Sequence, residues 1–103
     1  MIEDFPTRLK ILNQEWIIKY VSPIPNTEQD CLGLCEIHNN TIYIDTDQSE
    51  ASMKRILLHE ISHSIWHIVP HKLKGKYEED FCDLVSLMLL DLLNNNDLTF
   101  LTT

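Results

Sequence analysis

The first half of the chain alternates hydrophobic and polar positions in the way that β-strands do. Apolar side chains recur at every second residue on either side of Asn13-Gln14, at Leu9 and Ile11 and then at Trp16, Ile18 and Tyr20. A period of two places such a row of side chains on one face of a sheet. We therefore predict two strands within residues 8–21, joined by a tight turn at the Asn-Gln pair.

A second pair of strands is expected after a loop that contains two prolines. From Gly33 the chain reads Leu-Cys-Glu-Ile-His, then two asparagines, then Thr-Ile-Tyr-Ile-Asp. Asparagine tolerates the positive φ that a two-residue hairpin turn requires. Residues 34–38 and 41–45 are therefore predicted to form a hairpin around Asn39-Asn40.

The second half of the chain is predicted to be helical. One helix runs from about Ser49 to His67 and is stopped by Pro70. Its N-cap is either Ser49 itself or Asp47, which has Glu50 three residues later as in a capping box. A lysine-rich loop leads to a second helix over about residues 78–93, which ends at three asparagines.

These elements predict one α+β domain that spans residues 1–103. Its architecture is a small, twisted, mainly antiparallel sheet packed on one helix and followed by a second helix. A chain of 103 residues, of which 44% are hydrophobic, fits one domain with a modest core. A bound metal would add stability to a core of this size.

Charge and cysteine usage exclude several classes of protein. Sixteen acidic and eight basic residues give a net charge of −8, which argues against binding to nucleic acids and to anionic membranes. No apolar stretch is long enough to span a bilayer, and the acidic N-terminus does not resemble a signal peptide. The three cysteines fit neither a disulfide framework nor a zinc knuckle, so we expect reduced thiols and a cytoplasmic protein.

His59-Glu60-Ile61-Ser62-His63 is an HExxH motif within the first predicted helix. Residues i and i+4 project from one helical face, so both imidazoles can bind one metal ion. Glu60 points to the side, where its carboxylate can accept a proton from water at that ion without binding the ion. The motif predicts a zinc site with His59 and His63 as ligands and Glu60 as general base. The alternative is a pair of helical histidines with no metal.

A catalytic zinc site needs a third protein ligand and one open position. His67 follows His59 by eight residues, about 12 Å along the helix axis, which is too far for both to bind one ion. His71 would need a sharp return of the chain. The acids that begin the second predicted helix are better placed, and we choose Glu79 as the third ligand with Glu78 in reserve.

Further residues are predicted to support the ligands or the reaction. Asp83 follows Glu79 by four residues and shares its helical face, so its carboxylate can accept the outer N–H of a ligating histidine and fix its tautomer. The alternative is that these acids only favour the positive end of a helix. His71, Tyr77 and Tyr43 are candidates to donate a hydrogen bond to a developing oxyanion.

On these residues the chain resembles the small HExxH zincin-like proteins of bacteriophages and prophages, which are similar to trimmed ImmA/IrrE metallopeptidases. The resemblance rests on Leu57-Leu58 before the motif, on Glu78-Glu79 at a helix start, on the preceding hairpins and on residues 92–98. The chain departs from the family pattern at Leu90-Asp91, where the larger relatives often carry proline. It implies a sheet over two helices, a zinc ion held by the motif histidines and Glu79, and cleavage of an intracellular regulator such as a repressor.

We therefore expect a zinc metallopeptidase that acts on a protein or peptide substrate. Zincins commonly bind the substrate as an added strand along a sheet edge, and Ile42-Tyr43-Ile44 is the candidate edge. The rival interpretation is a non-catalytic zinc protein in which the same ligands stabilise a fold that binds a host partner. Water at the fourth coordination position favours catalysis, whereas a fourth side chain such as His67, His71 or a cysteine favours a structural site. An acidic DNA mimic is a third interpretation, based on net charge alone.

Overall fold

The computed structural model describes residues 5–11, 13–25, 31–68 and 77–95. Within these ranges the chain forms an α+β fold with four strands and two α-helices, which confirms the predicted class. The elements in chain order are β1 (Arg8–Ile11), β2 (Gln14–Val21), β3 (Gly33–Glu36), β4 (Thr41–Asp45), α1 (Glu50–Ile68) and α2 (Glu78–Asn95).

The four strands form one mixed sheet in the order β1-β2-β4-β3. β1 pairs antiparallel with β2, and β3 pairs antiparallel with β4, as the two predicted hairpins require. A parallel pairing of β2 with β4 joins the hairpins and sets Ile18 opposite Ile42. β4 is therefore an interior strand, because β2 occupies its second side. The prediction that Ile42-Tyr43-Ile44 forms a sheet edge is wrong, and among the described strands β3 is the edge on that side.

Asparagines in the left-handed backbone region close both hairpins. Asn13 has a φ of 68° and Asn40 a φ of 49°, values at which asparagine is among the better tolerated residues. The second connection is longer than the predicted two-residue turn, because Ile37–Asn39 form a single 3-10 turn ahead of Asn40. The sheet strand β3 consequently ends at Glu36 rather than at His38.

One face of the sheet packs against α1 and forms the core. On β2 the side chains of Trp16 and Ile18 are buried, whereas those of Ile17 and Lys19 are exposed. This alternation is that of a sheet with one covered face. The buried cluster consists of Ile11, Trp16, Ile18, Ile42 and Ile44 from the sheet and Met53, Ile56 and Leu57 from α1.

α1 starts at a serine N-cap. The Ser49 hydroxyl oxygen accepts the Ser52 N–H at 3.1 Å, which satisfies one of the free donors at the helix start. Of the two predicted caps, Ser49 is therefore the one that caps the helix, whereas the N–H of Asp47 donates to the side chain of Asp45. No helix in the described part of the chain is both long enough and apolar enough to cross a membrane.

α2 packs against the side of α1. The rings of Trp66 on α1 and Phe81 on α2 lie 5.1 Å apart between centroids. Small side chains are buried on both helices, with Ser62 on the α1 stripe that includes Trp66, and with Cys82 and Ser86 on α2. Short side chains allow the helix backbones to approach closely, and this proximity brings the first turn of α2 alongside the HExxH residues.

The pattern of burial on β2 predicts that alanine substitutions of two neighbouring isoleucines lower the free energy of unfolding by different amounts. Ile18 is 3% exposed and Ile17 is 39% exposed. Ile18→Ala should lower the free energy of unfolding by about 2–5 kcal/mol, because it leaves a cavity between the sheet and α1. Ile17→Ala, the matched control, should cost less than about 1 kcal/mol. Urea denaturation measures both values, and equal losses would show that the buried face has been assigned incorrectly.

Candidate metal centre

The two motif histidines present their rings on the same face of α1. Their ring centroids are 4.8 Å apart, and the Nε2 atoms of His59 and His63 are separated by 3.1 Å. Both side chains are nearly covered, with 12% and 14% of their surface exposed. The i, i+4 spacing accounts for this arrangement, since one helical turn separates the two residues.

Glu79, in the first turn of α2, completes a group of three donors. Its Oε2 lies 3.3 Å from His59 Nε2, and its Oε1 lies 2.7 Å from His63 Nε2. One ligand atom from each of the three residues falls within 4.8 Å of the others. Among the described residues, this group could hold a metal ion. The structure thus brings together the three residues that the sequence predicted as ligands.

The outer ring nitrogen of each histidine, Nδ1, contacts a carboxylate other than that of Glu79. Asp83 Oδ1 lies 2.8 Å from His59 Nδ1, as the sequence predicted for this aspartate. Glu78, the reserve ligand, lies instead behind His63, with its Oε2 at 2.5 Å from His63 Nδ1. Such contacts orient imidazole ligands and fix their tautomers. α2 therefore supplies one acid between the two rings and one acid behind each ring.

When both histidines are neutral, these contacts leave three electron pairs facing one another, an arrangement that a cation would stabilise. A neutral imidazole that donates Nδ1–H to a carboxylate carries its lone pair on Nε2. The two Nε2 atoms and the Glu79 carboxylate then converge with no donor between them. Ligand atoms around tetrahedral zinc, with bonds of about 2.0–2.1 Å, are about 3.3 Å apart. The observed spacings of 2.7 to 3.3 Å are close to this value, so the group fits zinc in both donor type and size.

Glu60 lies on the side of α1 that faces β3, and it is only 7% exposed. Burial raises the pKa of its carboxyl group to about 7; a charged His63 opposes this increase and Glu79 adds to it. A divalent cation at the adjacent group would lower the pKa again, since a nearby positive charge favours the carboxylate. A glutamate that lies beside the three candidate ligands, but does not belong to their group, is placed as a general base would be.

The group opens into a cleft of about 360 Å³ between β3 and the two helices. Gly33, Leu34 and Cys35 line it on the sheet side, whereas the histidines and acids line it on the helix side. A mostly apolar hollow of about 420 Å³ lies elsewhere, next to Phe5 and the start of α1, and contains none of the motif residues. The smaller cleft is therefore the one with candidate chemistry.

Gly33 is a residue whose role at the site the sequence did not reveal. A Cβ at this position would overlap Ile56 Cγ2 and would lie 2.8 Å from Glu60 Oε2. Only glycine leaves room for β3 to approach α1 so closely. The glycine before a predicted strand was visible in the sequence, but the side chains that it accommodates are distant along the chain and only the packing identifies them.

Cys35 lies on the sheet side of the cleft as a protonated thiol. Burial raises its pKa to about 12, and the nearby Glu60, Cys82 and Glu78 add to the increase. The pKa of Cys82 is likewise raised to about 12, mainly by burial. Neither cysteine belongs to the group of described residues that could hold a metal.

The candidates for oxyanion stabilisation are not brought into the cleft by the described part of the structure. Tyr77 directly precedes α2, is 46% exposed, and does not line the cleft. Tyr43 lies between the buried Ile42 and Ile44, so its side chain projects from the opposite face of the sheet, where Lys19 Nζ lies 5.9 Å from its ring centroid. The prediction for Tyr43 is therefore wrong. His71 lies outside the described residues.

Comparison with known proteins identifies no relative of this chain. Neither a family model, a curated protein nor a solved structure matches the chain. The assignment of the site therefore depends on the geometry of the residues themselves.

The position of Glu79 predicts a specific loss of metal. Glu79→Ala should weaken zinc binding by more than the roughly 10–100-fold that is typical for residues outside the ligand set, because it removes the carboxylate that contacts both Nε2 atoms. Asp80→Ala, at the exposed next position of the same helical turn, should bind zinc as the wild type does. Competition with a chromophoric chelator gives the affinities, and equal values for the two variants would exclude Glu79 as a ligand.

The fit between Gly33 and α1 predicts energetic coupling to Ile56. Gly33→Ala should lower the free energy of unfolding by about 1–3 kcal/mol, as overpacking does. Its cost should be smaller in an Ile56→Ala background, where the overlapping methyl group is absent. Urea denaturation of the wild type, both single variants and the double variant measures the coupling. Strictly additive costs would show that Gly33 is not packed against Ile56.

Proposed function

We propose that this protein is a zinc-dependent metallopeptidase. The observation that carries the proposal is the convergence of His59, His63 and Glu79 on one point, with the buried Glu60 beside them and a cleft in front. Two imidazoles, one carboxylate and an adjacent glutamate base form the ligand pattern of thermolysin-like zinc sites. In this proposal the fold is a minimal zincin, in which α1 is the active-site helix and α2 carries the third ligand.

A zinc ion at this site supplies Lewis-acid chemistry, which lowers the pKa of water to about 7 and polarises a carbonyl oxygen. The protein's own part in the reaction falls to Glu60. Its carboxylate accepts a proton from the attacking water and later delivers that proton to the amine nitrogen of the leaving peptide. Asp83 and Glu78 hold the two histidine rings in place during both steps, because their carboxylate oxygens lie 2.8 Å and 2.5 Å from the outer ring nitrogens of His59 and His63.

In the part of the chain that the structure describes, three candidate ligands and not four meet at the site, which favours catalysis over a structural role. His67 could have been a fourth ligand, but its Nε2 lies 3.1 Å from Glu78 Oε2. No cysteine or further histidine in the described ranges joins the group of ligand atoms. An open fourth position is the feature that separates catalytic from structural zinc sites.

The edge strand β3 offers a place for an extended substrate. The Leu32 carbonyl accepts the Asp45 N–H at 2.9 Å, and hydrogen-bonded pairs alternate along an antiparallel ladder. The main chain of Leu34 therefore faces β4, whereas the N–H and C=O groups of Gly33 and Cys35 point away from it. Both residues line the cleft, so a peptide that adds to β3 as a further strand would pass in front of the metal centre.

The class of substrate follows from the resemblance to small phage-encoded zincin-like proteins. On that basis we propose an intracellular protein, such as a regulator or repressor, as the substrate, and the host cytoplasm as the location. The three free cysteines agree with a reducing compartment.

A zinc-stabilised domain that binds a host partner without catalysis is the second candidate. It is favoured by two exposed leucines on α2, since Leu84 and Leu87 are 61% and 54% exposed and lie three residues apart on one helical face. Exposed apolar side chains along one helix are typical of protein-binding surfaces when they are contiguous. In this alternative Glu60 has no chemical task, so substitution of Glu60 distinguishes the two candidates.

Glu60→Gln should retain zinc and lose peptidase activity. The amide keeps the shape of the side chain but cannot accept the proton, so kcat should fall by about 10²–10⁴-fold. Glu50→Gln, which removes the same charge at the exposed start of α1, is the control and should retain activity. Activity is measured on a library of internally quenched peptides, and zinc content by mass spectrometry. Cleavage at the same rate by the wild type and Glu60→Gln would remove Glu60 from the mechanism.

A further inference from the structure

Glu78 contacts two histidines through the same oxygen atom. Its Oε2 lies 2.5 Å from His63 Nδ1 and 3.1 Å from His67 Nε2. The Glu78 side chain is 15% exposed, whereas that of Asp83, which contacts His59 in the corresponding way, is 60% exposed. The two histidine ligands are therefore held by different means, one by a solvated carboxylate and one by a covered carboxylate.

A covered carboxylate requires hydrogen-bond donors to compensate for the loss of water. His63 provides one donor through its Nδ1–H, and this leaves its Nε2 lone pair directed at Glu79 and the metal position. His67 provides the second donor through its Nε2–H. Because a carboxylate cannot donate, both ring nitrogens must carry a hydrogen, and this fixes the tautomer of each neutral histidine.

His67 is therefore neither a candidate metal ligand nor a side chain that contacts only solvent. Its ring is half exposed, lines the cleft and follows His63 by one helical turn. Its contact with Glu78 prevents the carboxylate from rotating away from His63. The three side chains form a chain of contacts that runs from the cleft rim to the metal position.

We propose that Glu78 and His67 are positioning residues of the metal centre: Glu78 orients His63, and His67 acts only through Glu78. The inference rests on the zinc site of the proposed function but not on peptidase activity. Both residues were considered as third ligands from sequence alone, and the geometry assigns each a supporting role instead.

The test is a double-mutant cycle on zinc affinity. Glu78→Ala, which removes the acceptor oxygen, should weaken zinc binding by about 10–100-fold, and His67→Ala by about fivefold, the equivalent of one hydrogen bond. The double variant should bind zinc as weakly as Glu78→Ala alone, because His67 acts only through Glu78. His67→Gln should recover most of the affinity lost in His67→Ala, because its amide N–H can still donate to Glu78. Asp80→Asn is the charge-matched control and should bind zinc like the wild type.

A second readout separates positioning from direct ligation. Substitution with Co²⁺ gives absorption bands whose intensity reports the coordination number. These bands should be the same in the wild type and in His67→Ala, and a change in coordination number would make His67 a ligand and overturn the proposal. Multiplicative losses of zinc affinity in the double variant, or wild-type affinity in Glu78→Ala, would overturn it as well.

The outcomes separate this inference from the proposed function. If the protein binds zinc with the expected coupling but cleaves no peptide, the peptidase proposal fails and the positioning proposal stands. If zinc affinity falls in Glu78→Ala because the protein unfolds, the thermal melt without metal will show it. His67→Ala and His67→Gln then carry the test, since position 67 is half exposed and tolerates substitution.

Discussion

The structure depends on the contact between the first turn of α2 and one face of α1. There Glu78 and Glu79, together with Asp83 one turn later, lie 2.5 to 3.3 Å from the ring nitrogens of His59 and His63. Two nitrogen lone pairs and a carboxylate face the same point, an arrangement that is repulsive without a positive charge. A divalent cation at this point would convert the repulsion into coordination, and metal binding would then stabilise the packing of the two helices.

The helix pair also determines where the remaining groups of the site lie. Buried serine and cysteine side chains bring the two backbones close, and the aromatic pair Trp66 and Phe81 fixes their alignment. On the other side of α1, the absence of a side chain at Gly33 lets β3 come close enough to cover Glu60. The general base of the proposed reaction is therefore buried between helix and sheet, whereas the ligands lie between the two helices.

The acidic start of α2 serves several purposes at once. Glu78, Glu79 and Asp80 occupy the first turn, where negative charge interacts favourably with the helix dipole. Two of these three acids also have individual contacts with the histidines, and Asp83 one turn later has another. The helix-capping explanation of this acidic run is thus true but incomplete. The net charge of −8 is partly the consequence of a site built from carboxylates.

The sequence alone determined those features that depend on local spacing. An i, i+4 pair of histidines must share a helical face, Glu79 and Asp83 must share another, and alternation over β1 and β2 predicts which side chains enter the core. Tertiary structure decided the order of the strands, which made β4 an interior strand and β3 the edge, because a parallel pairing between distant segments leaves no local pattern. It also decided that Glu78 lies behind His63 and contacts His67, and that Gly33 accommodates Glu60. These relations depend on the register between packed elements, and residue spacing within one element does not encode that register.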